Sequence, residues 1–83
     1  MRKAPVSYGQ LDAALQSLGF GVRVEKGKHR LYTHAETGAV FSLPDRRRTD
    51  LVSATHFAAA QHTVSEYGIA DEVEFASQLQ EAS

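Results

Sequence analysis

Apolar residues recur along the chain at two periods, and the switches between them divide it into elements. Leu11, Ala14, Leu15 and Leu18 stand at i, i+3, i+4 and i+7, the single stripe of an amphipathic helix. Ser7 with Gln10 three positions on has the spacing of a capping box. Gly19 ends that helix, and Phe20 is placed to fold back on its last turn. From Gly21 the period drops to two. Val22 and Val24 alternate with Arg23 and Glu25 in a first strand. Lys26-Gly27-Lys28 turns the chain into a second strand over His29 to His34. Ala35-Glu36-Thr37-Gly38 turns it again into a third over Ala39 to Leu43. Pro44 closes the sheet, having no N–H to give to a ladder.

The helical period then returns. Asp45 and Arg46-Arg47-Arg48 form a charged exit, and Thr49 is the expected cap of a long helix reaching Tyr67, with Ala54, Phe57, Ala58, Ala60, Val64 and Tyr67 on its apolar side. Gly68 stops it and Ile69 packs back beneath. Asp71 and Glu74 open a short third helix whose apolar positions are Val73, Phe75, Ala76 and Leu79, with Gln80 to Ser83 frayed. The order α-β-β-β-α-α predicts an α+β fold of two layers, a three-stranded antiparallel sheet with helices on one face and the other face open to solvent.

Length holds this to one domain over residues 1–83, burying roughly 60–65% of the surface its unfolded chain exposes. Absence of cysteine excludes a disulfide framework, a reactive thiol and thiolate zinc. With no apolar run of membrane-spanning length and no apolar region after Met1-Arg2-Lys3, the expected location is the cytoplasm. The net charge of −1 conceals a polarity. Residues 1–48 hold all nine Lys and Arg against four acids, a net of +5, whereas residues 49–83 hold six acids and no Lys or Arg. A basic half suits an anionic partner.

Candidate chemistry centres on His29. Side chains alternate along a strand, so His29, Leu31 and Thr33 face one way and Arg30, Tyr32 and His34 the other. An imidazole titrates near neutrality and can move a proton in a phosphodiester transesterification, in which a ribose 2′-hydroxyl attacks the adjacent phosphate. Lys26, Lys28 and Arg30 flank His29 as candidate phosphate contacts, Arg46, Arg47 and Arg48 extend the basic groove, and Tyr32 is a candidate platform for a base of single-stranded RNA. The histidines do not have metal-site spacing. His56 and His62 stand six apart on their helix, not at the i, i+4 of a helical zinc pair.

The pattern Gly27-x-His29-x-x-Tyr32-x-His34, then Gly38, then an apolar strand ending in Pro44, resembles the HicA family of toxins from toxin–antitoxin pairs. Tyr67-Gly68-Ile69 followed by an acidic turn and Glu74-Phe75 is similar to the C-terminal part of many members. The opening helix with its Leu-Gly-Phe ending also matches, so the likeness runs from Ser7 to about Gln80. Lys28 stands where the family has a serine, and Asp45 to Leu51 replaces its usual signature after the third strand. The resemblance implies a fold like the double-stranded-RNA-binding domain, metal-independent mRNA interferase activity with His29 as the catalytic residue, no cofactor, and a HicB-like antitoxin covering the site. Two readings stand beside it. One is a module of the same fold that binds RNA or protein without cleaving. The other is a protein that pairs with a partner through its acidic helices.

Overall fold

The computed structural model describes residues 5–25 and 28–82. Lys26 and Gly27 of the first turn lie outside the described residues. The elements are α1 (Tyr8–Ser17), β1 (Phe20–Glu25), β2 (His29–His34), β3 (Ala39–Pro44), α2 (Ala54–Glu66) and α3 (Glu72–Glu81). The strands form an antiparallel sheet in the order β1-β2-β3, with Glu25 opposite His29 and His29 opposite Pro44. The expected α+β architecture is the one observed. α1 packs by β1, α2 packs by β3, and α3 lies across α1 and α2 rather than on a strand.

Alternation along the strands sorts the sheet's two faces. Phe20, Tyr32, His34, Ala39 and Leu43 point to the helices and are buried, joining Leu11, Ala14 and Leu15 of α1, Ala60 and Val64 of α2, and Phe75 and Leu79 of α3 in one core. Arg23, Glu25, His29, Thr33, Val40 and Ser42 lie on the other face, exposed to solvent. The aromatics are in close contact. Phe41 stacks on Tyr32 at 5.4 Å and meets Phe20 edge-on at 5.6 Å.

Helix ends follow their side chains. Ser7 Oγ accepts from the N–H of Gln10, but the Gln10 amide does not return to Ser7 as a full capping box requires. It donates instead to the Leu79 carbonyl at 2.7 Å and ties α1 to α3. Asp71 caps α3 through the N–H of Glu74 at 2.8 Å. At the far end of α2 the N–H groups of Gly68 and Ile69 reach the carbonyls of Ser65 and Val64, the paired bonds of a Schellman end.

The start of α2 differs from expectation. Its cap is Ser53, whose Oγ accepts from the N–H of His56, and not Thr49. Residues 48–52 are spent elsewhere. The carbonyls of Asp50 and Arg48 accept from the N–H groups of Tyr8 and Gly9, and the N–H of Val52 donates to Val6. These bonds satisfy donors at the start of α1 and, with the Asp50 N–H turned back to the Arg47 carbonyl, commit the segment to a turn followed by a bridge to Ser7, so it cannot also be helix. Gly9 permits the approach, since a Cβ there would lie 3.0 Å from Arg48 Cβ. The apolar side of α2 is also narrower than its spacing suggests. Ala60 and Val64 are buried, Phe57 is half-buried, and Ala54, Ala58 and Tyr67 are exposed because the helix meets the core along one edge only.

Candidate functional site

His29 opens β2 at one end of the sheet's solvent face, where its ring is exposed. Two features of the local chain set what surrounds it. Lys28, also exposed, precedes it in the turn, and the Lys28 carbonyl accepts from the N–H of Asp45 at 3.0 Å. That bond brings the basic loop after β3 against the turn before β2, so Arg46 leaves the sheet beside Lys28 and His29. Glu25 stands directly across from His29 in the register and forms an ion pair with Arg23 at 2.9 Å on the same face. The backbone thus brings Lys28, His29 and Arg46, each exposed, to one end of the sheet. Such a group can hold a phosphate and move a proton.

The other candidate contacts are placed differently. Arg30 and Tyr32 project from β2 toward the helices, as alternation requires, and there they meet Asp12 of α1. Tyr32 Oη donates to Asp12 Oδ1 at 2.7 Å, and Arg30 Nη2 donates to the same oxygen at 3.1 Å. Gln16 Nε2 donates to Oδ2 at 2.8 Å, and Arg48 Nη1 pairs with Oδ2 at 3.5 Å. The carboxylate is thereby supplied at both oxygens. Arg30 Nη1 also pairs with Asp45 at 3.5 Å, and Arg48 Nη2 donates to the Gly9 carbonyl at 3.3 Å. Two arginines and two aspartates leave this cluster without net charge. It fastens the loop after β3 onto α1 and the sheet.

Protonation within the cluster follows from those contacts. Burial alone would raise the Asp12 carboxyl, yet hydrogen bonds from Tyr32 and Arg30, the charge of Arg30 and the Gln16 amide together hold it below the ordinary value. Burial, then the hydrogen bond to Asp12, pushes the Tyr32 phenol up to about 12. The hydrogen bond to Tyr32 and the neighbouring Asp12 outweigh desolvation and raise Arg30, which stays charged.

The expected base platform therefore has no free face. Tyr32 is 1% exposed, its ring stacked on Phe41 and its hydroxyl committed to Asp12. Arg30 sits on the face opposite His29, with both aspartates as partners. Of the arginine run, Arg48 is anchored to Asp12 and Arg47 pairs with Asp50 at 3.8 Å, while Arg46 is exposed with no ion pair among the described residues. Lys26 lies outside the described residues. Lys28 and Arg46 are thus the described cations that stand with His29 at the sheet's end.

No family model, curated protein or solved structure matches the chain. Assignment of a role rests on residues and geometry.

Of the remaining histidines, His34 and His56 have structural partners and His62 is exposed on α2. His34 is buried, its Nε2 donating to the Leu18 carbonyl at 3.0 Å and its Nδ1 paired with Thr37 Oγ1 at 3.0 Å. A carbonyl can only accept, so Nε2 carries a proton and Nδ1 takes the hydroxyl hydrogen of Thr37 in the neutral ring. His56 Nδ1 meets Ser53 Oγ at 2.9 Å and Tyr8 Oη at 3.3 Å at the start of α2. Asp12 stands outside the residues that the sequence pattern marks as a candidate site, yet it anchors the cluster. The signal was nonetheless present, since Tyr8, Leu11, Asp12 and Leu15 follow i, i+3, i+4 and i+7 and put an acid on the buried face of α1. A carboxylate there demands partners, and the basic and phenolic side chains of the inner face of β2 are what meet it.

Proposed function

We propose that the chain is a metal-independent RNA endonuclease of the HicA-like kind, with His29 as its proton-transfer residue and Lys28 and Arg46 as its phosphate contacts. The observation that supports this most is the bond between the Lys28 carbonyl and the Asp45 N–H, which brings the basic loop against the strand that presents His29 to solvent. In the reaction the 2′-hydroxyl oxygen attacks phosphorus and the bond from phosphorus to the 5′ oxygen breaks. A cyclic 2′,3′-phosphate and a 5′-hydroxyl end remain. His29 takes the 2′-hydroxyl proton as general base, or gives a proton to the departing 5′ oxygen as general acid. Lys28 and Arg46 offset the charge that builds on the phosphoryl oxygens. A HicB-like antitoxin is the partner this reading carries with it, and the cytoplasm is the compartment in which mRNA would be met.

The test is incubation of the purified protein with labelled single-stranded RNA in chelator, beside His29→Gln. Cleavage by the wild type alone, with circular dichroism and RNA affinity unchanged in the variant, supports the assignment. If neither protein cuts any of several RNAs while both still bind them, the chain is a binding module and the catalytic reading fails.

A further inference from the structure

The proposed transesterification moves two protons, one off the attacking 2′-hydroxyl and one onto the departing 5′ oxygen, and a single imidazole serves one of these at a time. A second proton-transfer group has to stand on the sheet face that presents His29. Glu25 meets that condition. The register sets it directly opposite His29 across the β1–β2 ladder, and both residues are exposed. Residues so paired have Cβ atoms about 4.5–5.5 Å apart, close enough for both side chains to reach one phosphate. Across the other ladder His29 faces Pro44, which can move no proton. Asp45, the other acid near this end of the sheet, is paired with Arg30. Arg23, on the same face as Glu25, pairs with its Oε2 at 2.9 Å, and Oε1 has no partner among the described residues.

We infer that Glu25 is the second proton-transfer residue of this site, taking the 2′-hydroxyl proton while the His29 imidazolium gives a proton to the 5′ oxygen. This role rests on the reading of His29 as an RNA-cleaving residue and fills the step that reading leaves open. At neutral pH a carboxylate in water has no proton to give and can accept one, whereas an imidazole takes one up readily and can pass it on. The step balances. The bond from the 2′ oxygen to phosphorus forms as the 2′ proton passes to a Glu25 oxygen, and the bond from phosphorus to the 5′ oxygen breaks as the imidazolium proton passes to that oxygen. Exchange with water then returns Glu25 and His29 to their starting states. An exposed ion pair holds its partners weakly, so the link to Arg23 leaves the carboxylate able to turn to a substrate. Lys28 and Arg46, the other charged groups brought to this end of the sheet, are cations and serve the phosphoryl oxygens.

The experiment uses two substrates, a single-stranded RNA and the oligoribonucleotide that ends at its cut site in a 3′-(4-nitrophenyl phosphate), whose nitrophenolate departs without a proton. On RNA, kcat/KM against pH is expected to be bell-shaped for the wild type. Glu25→Gln is expected to lower it by about 100-fold and to lose the acid limb, with circular dichroism unchanged, and Glu25→Asp to recover part of the rate. Arg23→Ala, which breaks the same ion pair, is expected to keep both limbs. His29→Gln is expected to be slow on RNA yet close to wild type on the nitrophenyl substrate, and Glu25→Gln slow on both. If Glu25→Gln keeps the wild-type rate and both limbs while His29→Gln is inactive on RNA, the inference falls and the reading of His29 stands. Loss of the acid limb in Arg23→Ala as well would make Glu25 only a holder of Arg23, which also overturns it. A wild type that cuts no RNA ends both.

Discussion

Asp12 shows how one side chain organises three segments. Its carboxylate joins α1 to β2 through Tyr32 and Arg30 and to the loop after β3 through Arg48; Asp12 and Tyr32 are buried, while the Arg48 side chain stays exposed. Removing the Asp12 carboxylate takes away the acceptor of the buried Tyr32 hydroxyl while Arg30 keeps Asp45 and Arg48 keeps the Gly9 carbonyl, so Asp12→Ala should cost about 2 kcal/mol in urea unfolding at neutral pH. The pH dependence has a definite sign. Asp12 is depressed in the folded state, so its contribution is present above the ordinary carboxylate range and fades as pH falls through its lowered folded value. The stability gap between wild type and Asp12→Asn should therefore narrow in acid. Tyr32 is raised, so its contribution is full below the ordinary tyrosine value and is lost as pH climbs toward about 12. Tyr32→Phe should remove that alkaline loss while costing about 1–2 kcal/mol at neutral pH for the unmade hydrogen bond. Gly19 is constrained in another way. At φ +102° a Cβ is strained, and it would lie 3.0 Å from His34 Nε2. Gly19→Ala should lower stability by about 2 kcal/mol, read as a fall in melting temperature.

Among the elements, the segment between β3 and α2 behaves least like its sequence. Arg46 to Leu51 has the composition of a helix start, but its backbone closes the open end of α1, and α2 begins only at Ala54. The two candidate caps can be told apart. Ser53→Ala should cost about 1 kcal/mol of stability, while Thr49→Ala should leave the urea midpoint where it was. The same strap explains why three adjacent arginines are not equivalent. Arg48 is a structural partner of Asp12, Arg47 folds back on Asp50, and Arg46 is left to solvent. Arg46→Ala should thus flatten the salt dependence of RNA binding by roughly one counterion with stability unchanged, measured by titration over a range of salt. Arg48→Ala should lower stability instead.

At the scale of the whole molecule, the +5 and −6 halves of the chain meet where residues 6–9 bond to residues 48–52 and Arg47 pairs with Asp50. Among the described residues, Lys28 and Arg30 flank His29 and Arg46 to Arg48 follow β3, while Arg23 lies within β1. Part of that positive charge is cancelled by Asp12 and Asp45, which leaves Lys28 and Arg46 as the exposed cations nearest His29. Of the acids in residues 49–83, Glu72, Glu74 and Glu81 lie on α3, Asp71 caps it and Glu66 ends α2.

The order and kind of the elements were legible without tertiary information, because both periodicities are local. Leu11 to Leu18 repeats with a helical turn, and Val22 to Glu25 repeats with the pleat. The division of β2 into a face with His29 and a face with Arg30, Tyr32 and His34 was legible for the same reason. What lay beyond those faces was not. Whether Tyr32 met a base or a carboxylate, and which arginines stayed free, depended on α1 arriving with Asp12 on its buried side, twenty residues away in the chain. The cap at Ser53 depended likewise on backbone bonds between residues 48–52 and residues 6–9. Periodicity records which way a side chain points. Only the folded chain decides what stands opposite it, since a buried charge or an unsatisfied N–H takes its partner from wherever the topology brings one.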